Sequence, residues 1–471
     1  MAPGFRRNDA WTPVFTGVTT FYEIIKICFC RNQFDRPKER PMMDELLLRK
    51  VRIQDVIFGE NTEVVNHVLR INREELVRYL QEDRRLKSVE IKIARPGEKK
   101  RIIPVKDVLE PRAKSEETST TFPGFLGTAE PVGTGITSVL DGVVVVTCGK
   151  LVNFQEGLID MDGPGAEFSL FSKKLNVILV MEPLEKLGKH EHEEAVRIAG
   201  VKAAHYLGLA GTRANFYEET RFQVATWPEL EYSNPGLPKV IYVDMVIAQG
   251  LLHDNYIYGV NAQGSLPVLL SATELMDGAI VSGNCAAPCH KNTTYHQQNN
   301  PIVEDLLAEH GKALIFLGVI AMPVRATLLD KERICTQVLK MAKFLGAQGA
   351  IVSEDGGGNP ETDLMMLARL FEKEGVKTVL VTDEYAGRDG ASQGLADITP
   401  EADAIVTNGN GNQYVALPPM EETIGHLEAI EVITGGHAGS LRPDGSIEME
   451  IAGIMGSTVE VGAENLMTIA I

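Results

Sequence analysis

The tetrapeptide Ser282-Gly283-Asn284-Cys285 sets a thiol directly after an asparagine carbonyl, behind two small residues. Glycine tolerates backbone angles that other residues avoid, which suits a strained scissile bond. The Cys285 thiol can attack the Asn284 carbonyl and move the acyl group from nitrogen to sulfur. β-Elimination from the resulting thioester leaves dehydroalanine at residue 285. Tautomerisation and hydrolysis then release ammonia and leave a pyruvoyl group, an electron sink that condenses with amines. A buried cysteine near a turn is the plain alternative, since cysteine is among the most buried residue types. The following run, from Cys285 to Pro301, gathers two thiols, two imidazoles, a lysine and a tyrosine. Such a density of titratable groups in a loop points to a site.

Within that run His290 and His296 are candidate acids or bases for processing, or makers of local hydrogen bonds. Lys291 either pairs with a substrate carboxylate or faces solvent. Cys285, Cys289 and His290 follow a Cys-x3-Cys-His spacing without a second paired motif, so no metal is expected. Cys148, Cys335 and His437 lack a supporting motif and read as structural. Gly356-Gly357-Gly358 could cradle a small anion, but it lacks the spacing of a nucleotide loop. Glu354, Asp355, Glu361 and Asp363 beside it disfavour phosphate, and their spacing is not that of a regular cation loop.

These residues need a framework. Apolar runs predict strands at 313–320, 350–352, 378–382 and 404–407, with a further one at 239–246. Between them, the stripe Ile334, Val338, Met341, Ala342 and Leu345 predicts a helix over 332–345 that Gly346 stops. Asn359 and Pro360 open another that ends at Gly375, and Asn300 and Pro301 open a third that ends at Gly311. Strands alternating with helices mean βαβ units. The fold class is α/β, with doubly wound parallel sheet units in the C-terminal half and a smaller β-rich N-terminal domain. In that domain, strands are expected at 51–58 and 89–93 and a helix at 73–81. The Pro/Ser/Thr/Gly-rich stretch 111–127 reads as a linker. Further on, strands are expected at 142–148 and 177–181, and a helix with a small apolar face over 192–207. The expected divisions are 1–42, 43–112, 113–284 and 285–471.

Composition narrows the function. The chain has 471 residues, a 44% hydrophobic content and a net charge of −18. Acidic surfaces repel phosphate backbones, which argues against nucleic acid. No apolar run reaches the roughly 18 residues of a membrane span. Six irregularly placed cysteines without a secretory signal suit a reduced cytoplasm. The first 41 residues carry a net +3, leaving −21 for the rest. That break marks 1–42 as a non-native or disordered extension, with the regular chain starting at Met42 or Met43.

From Met276 to Pro301 the sequence reads M-D-G-A-I-V-S-G-N-C-A-A-P-C-H-K-N-T-T-Y-H-Q-Q-N-N-P. It resembles the processing region of the component B proprotein of the glycine/sarcosine/betaine reductase family. A-R-P-G-E at 94–98, P-V-K-D-V-L-E-P-R at 104–112, T-C-G-K at 147–150 and Q-G-L-L-H-D at 249–254 agree. So do G-N-P-E-T-D-L-M-M at 358–366, T-D-E-Y-A-G at 382–387 and S-L-R-P-D-G-S-I-E at 440–448. The resemblance runs from about Met43 to the C-terminus. It implies cleavage between Asn284 and Cys285, with Cys285 becoming the pyruvoyl. It also implies a hetero-oligomer with a selenocysteine-containing subunit of component B, acting with the carrier selenoprotein of component A. Its substrate is glycine, sarcosine or betaine, whose nitrogen a selenolate displaces. Betaine, with a quaternary nitrogen, cannot condense with a carbonyl, so the carbonyl cannot play the same part for all three. Two other readings stay open: an N-terminal-nucleophile hydrolase using Cys285 as a thiol, and a non-catalytic scaffold subunit.

Overall fold

The structure is a computed structural model and describes residues 45–115, 125–152, 156–223, 236–250, 254–283, 290–462 and 467–469. The described residues fall in one compact unit.

Five strands form the parallel heart of a seven-stranded sheet: β1 (Lys239–Ile247), β2 (Ile315–Val324), β3 (Gly349–Ser353), β4 (Lys377–Glu384) and β5 (Ile405–Asn410). They lie side by side in the order β2-β1-β3-β4-β5, with Val268–Leu270 and Met467–Ile469 added antiparallel at the two edges. Both faces are covered, which is why these strands read as continuous apolar runs. Ile241, Val243 and Met245 pack with Ile334, Val338, Leu364 and Phe371 of two helices. On the other face Tyr242 and Val246 meet Met276, Val303 and Leu306. Chain order and strand order diverge at β1 and β3. In doubly wound sheets the crevice at the carboxyl ends of such strands is where ligands bind.

The two covering helices are α1 (Leu328–Leu345) and α2 (Asn359–Lys373). α1 begins one turn earlier than its apolar stripe indicates. Thr327 caps it by accepting from Asp330 N, and its first turn shows Leu328 and Leu329 to solvent, out of phase with the buried stripe. It ends as expected at Gly346, whose φ is 77°. α2 is capped by Gly358 and not by Asn359, which occupies the first helical position. Gly358 has φ 77° and ψ −94°, a conformation that side chains disfavour, and the Asn359 side chain instead accepts from Gln249 Nε2 at 2.7 Å.

The remaining strands build smaller mixed sheets. One runs Gly157–Asp160, Lys100–Leu109, Val143–Gly149, Leu175–Pro183, Leu86–Ala94. Glu422–Gly425, far along the chain, joins it in parallel at Lys100–Ile103. The helix Lys189–Gly211 lies on this sheet and on a four-stranded one through its small residues. A Cβ on Gly208 would stand 2.4 Å from the Arg112 carbonyl carbon, so this closeness needs glycine. The single strand expected over 51–58 is two, Glu45–Arg52 and Asp55–Phe58, in different sheets. Between them Ile53 N bonds to Asp141 O and Gln54 N to His67 O as the chain changes partners. The expected linker at 111–127 opens with a strand, Arg112–Lys114, whose charges are buried. Arg112 bonds Glu110 and the Met276 carbonyl, and Lys114 bonds Asp277, so polar composition there marks buried pairing. Residues 116–124 lie outside the described residues. Among those described, no helix is long and apolar enough to cross a membrane.

Candidate active site

At the carboxyl ends of β1, β3 and β4 a group of acidic side chains meets the two flanks of the segment 284–289. Asn284, Cys285 and Cys289 themselves lie outside the described residues. On the upstream side Gly283 N donates to Asn255 Oδ1, and Asn255 Nδ2 donates to Asp355 Oδ2 at 2.9 Å. The same Asp355 oxygen accepts from Ile247 N at 2.8 Å, which bridges β1 to the turn after β3. Ser282 N donates to Thr294 Oγ1 at 3.0 Å, and Thr294 in turn donates to Asp107. On the downstream side Asn292 Nδ2 donates to the Glu354 carbonyl at 3.1 Å. Both flanks are therefore tied to the Glu354–Asp355 turn.

His290 opens the downstream flank and is buried. Its Nδ1 lies 2.6 Å from Asp383 Oδ1 and 3.4 Å from Glu460 Oε1. Its ring packs on Tyr385, with centroids 4.8 Å apart, and its Nε2 edge lies against Gly357, where a Cβ would come within 2.7 Å. Close approach of this imidazole is thus one reason for a glycine there. The second oxygen of each acid is held: Asp383 Oδ2 accepts from Thr458 Oγ1, and Glu460 Oε2 from Gly356 N at 2.8 Å. A cavity of about 410 Å³ adjoins His290, walled by Gly357, Gly358, Glu361, Tyr385, Gln393 to Ala396 and Thr434. Glu361 fastens two of its walls, accepting from Gly358 N at 2.8 Å and from Ala396 N and Asp397 N.

Burial makes Glu460, Glu354, Asp355 and Asp244 reluctant to ionise. It pushes Glu460 up to about 8 against the pull of His290, with Asp383 and Asp355 adding repulsion. Glu354 is driven well above the usual range by burial and by Glu460 and Glu361. Asp355 rises to about 6 through burial, restrained by its Ile247 and Asn255 donors. On β1, Asp244 rises to about 8 through burial and the nearby Asp355.

Two of the sequence candidates point elsewhere. Lys291 is buried and does not face solvent: its Nζ donates to the Lys106 carbonyl and stands 3.5 Å from Asp107 Oδ1, and burial lowers its pKa. His296 occupies the third position of the helix Thr294–Gln298 and accepts from Thr293 N through Nδ1 at 3.2 Å, closing a capping box. Burial, with Lys291 nearby, lowers it to about 3. Between its ordinary 6.5 and about 3, the unfolded chain binds a proton that the folded chain refuses. Acid should therefore cost stability across this window, by about 1.4 kcal/mol per pH unit for this residue. His296→Gln keeps a capping side chain without that titration. Urea midpoints at pH 7 and pH 5 should lie closer together in the variant than in the wild type. An equal acid loss in both would show that residue 296 does not set it.

Sequence reasoning passed over Asn255, Asp383, Tyr385 and Glu460, and weighed Asp355 only as part of an acidic cluster. A signal for two of them was present, since Asp383 and Tyr385 sit in the T-D-E-Y-A-G stretch. Asp363, weighed with that cluster, pairs instead with Lys331. Cys148 and Cys335 are buried and directed at backbone carbonyls.

Comparison with known proteins decides the family. The model for glycine/sarcosine/betaine reductase component B subunits matches residues 43–469. The chain belongs to that family. It is 51% identical over 412 residues to the glycine reductase complex component B subunits alpha and beta of Acetoanaerobium sticklandii, covering 87% of this chain and 96% of the relative. It is 47% identical over 421 residues to the sarcosine reductase complex component B subunit alpha of Peptoclostridium acidaminophilum, covering 89% and 98%. A more distant relative, 22% identical over 351 residues, is the D-proline reductase proprotein PrdA of Acetoanaerobium sticklandii, covering 69% of this chain and 53% of the relative. No solved structure matches. The chain is thus an oxidoreductase subunit of a multicomponent reductase. As a component B subunit it carries the acid cluster and the adjoining cavity beside the stretch that resembles the family's processing region.

Proposed function

We propose that this component B subunit is made as a proprotein, cuts itself between Asn284 and Cys285, and carries a pyruvoyl group at residue 285 for reductive cleavage of a C–N bond. The observation that carries the reading is that the described flanks of segment 284–289 are both anchored to one turn. Gly283, through Asn255, and Asn292 both hang on the Glu354–Asp355 turn, with His290 at the cavity beside them. The name of one relative, subunits alpha and beta in one chain, and the proprotein name of another support it.

The surroundings suit a reactive carbonyl. Lys291, the lysine nearest in sequence, is held by the Lys106 carbonyl and Asp107 and so is kept from condensing with it. In such a site the pyruvoyl carbonyl supplies an electron sink for an amine. Asn255 and Asp355 hold Gly283, the residue ahead of Asn284. His290, whose ring is held by Asp383 and Tyr385, presents an edge to the substrate. The substrate is glycine, sarcosine or betaine. The selenolate of a selenocysteine-containing component B subunit attacks the substrate methylene, the C–N bond breaks and the amine leaves. The carboxymethylated product then passes to the carrier selenoprotein of component A. The partners make a hetero-oligomer in the cytoplasm.

Intact-mass measurement of the natively expressed protein tests this reading. Two fragments are expected, the C-terminal one beginning at residue 285 without its sulfur and α-nitrogen. A C-terminal fragment that begins with free cysteine would favour a thiol hydrolase, and a single uncut chain would favour a scaffold.

A further inference from the structure

The cavity beside His290 poses a charge problem. Each of the three substrates named above carries a carboxylate, yet no lysine or arginine is among the described residues that wall the cavity. Glu361 is the one carboxylate among those wall residues, Asp383 and Glu460 stand behind His290, and Lys291 is directed to the Lys106 carbonyl. A bound cation would supply a positive charge for the substrate carboxylate.

His290 Nδ1, an oxygen of Asp383 and an oxygen of Glu460 lie within 4.8 Å of one another, all on buried side chains. The arrangement has the second layer of a metal site. Thr458 holds the outer oxygen of Asp383, and Gly356 N holds that of Glu460. Tyr385 and Gly357 confine the imidazole. Such outer contacts orient ligand atoms. A separate observation concerns the inner oxygen of Glu460. It is fully buried and has no hydrogen-bond partner among the described residues, although it stands 3.4 Å from His290 Nδ1. Buried acceptors normally find a partner. A second such oxygen is Glu354 Oε1, on a carboxylate that Glu460 repels.

We propose that His290, Asp383 and Glu460 bind one divalent first-row cation, and that its remaining positions take the substrate carboxylate. One imidazole and two carboxylates suit zinc or manganese. Bonds of about 2.0–2.2 Å leave neighbouring ligands roughly 3 Å apart. The 2.6 Å contact between His290 and Asp383 opens slightly as two bonds to the ion replace it. The proton shared in that contact is released to solvent as the ion binds, and no electron is transferred. The second half of the proposal rests on the reading of this cavity as the substrate site, whereas the first half stands without it.

The test uses the full chain, stripped with chelator and titrated with zinc or manganese alone, with bound metal counted by mass spectrometry. One equivalent per chain is expected in the wild type and in uncut Cys285→Ala. A loss of affinity of at least 10-fold is expected in Glu460→Gln and Asp383→Asn, and none in Glu428→Gln on the exposed surface. Wild-type protein that retains less than a tenth of an equivalent under saturating metal would overturn the site, and so would variants that bind like the wild type. Should the variants fail to fold, the wild type decides alone: its melting temperature should fall on chelation and recover on reloading, and an unchanged melt would count against the ion. Glycine binding by calorimetry, with and without the metal, tests the second half, and equal affinity would overturn it. Fragment masses report the cut independently of metal content, so the two proposals fail separately.

Discussion

Cys285→Ala is expected to give a single uncut chain, with no carbonyl that a hydrazide can label. Alanine has neither the nucleophile that starts the acyl shift nor the leaving group that elimination requires. Cys285→Ser should still cut, but more than about 10-fold more slowly. A thiol near pKa 8.5 offers a few per cent thiolate at neutral pH, while a hydroxyl ionises far less. The ester that serine forms can still eliminate, so the fragment that does appear should also carry the carbonyl. The cut is read as band intensity against time on a denaturing gel, the carbonyl as hydrazide label on the C-terminal fragment. A Cys285→Ala protein that still separates into two fragments would dispose of the mechanism.

The second large effect is expected at Asn255, which touches neither the thiol nor the scissile carbonyl among the described contacts. Its Oδ1 receives Gly283 N, the last described amide before Asn284, and its Nδ2 is held by Asp355. Asn255→Ala removes both bonds and releases the upstream flank from the Asp355 turn. Misplacement of a reacting group by about 1 Å can cost ~100-fold in rate, so cleavage should slow by about 10- to 100-fold. Asn255→Asp retains the acceptor for Gly283 but faces Asp355 at the distance of the present 2.9 Å bond. Two carboxylates that close resist ionising together, so this variant should recover cleavage as the pH falls and one of them is protonated. Such recovery distinguishes a positioning role from general loss of structure, which alanine alone would not. Folded Asn255→Ala protein that cuts at the wild-type rate would remove Asn255 from the process.

Local order was well marked in the chain. The apolar runs of β1 to β5, the stripe of α1 and its stop at Gly346 each follow from short-range pattern, because burial on both faces of a parallel sheet demands apolar residues at every position. The misses have local causes too. α1 starts a turn early because Thr327 and Asp330 cap it outside the apolar phase. The stretch after Pro111 looked like a linker from its Pro, Ser, Thr and Gly, yet Arg112 and Lys114 at its start are paired inside the fold, and pairing cannot be read from composition.

The chemistry divides along the same line. The Asn284–Cys285 junction and the motifs around it are contiguous, so residue type and order were sufficient to suggest the cut and the family. Which side chains surround it was decided by the tertiary structure. Asn255, Asp355 and Asp383 are brought together because β1, β3 and β4 run parallel and adjacent and end on the same edge, and Glu460 joins them from near the C-terminus through Gly356 N. The fates of the neighbours were equally non-local. His290, Lys291 and His296 are close in sequence, yet they meet Asp383, the Lys106 carbonyl and the Thr293 cap respectively. A titratable group is made reactive or inert by its partners and its burial, and in this chain the strand order supplies most of both.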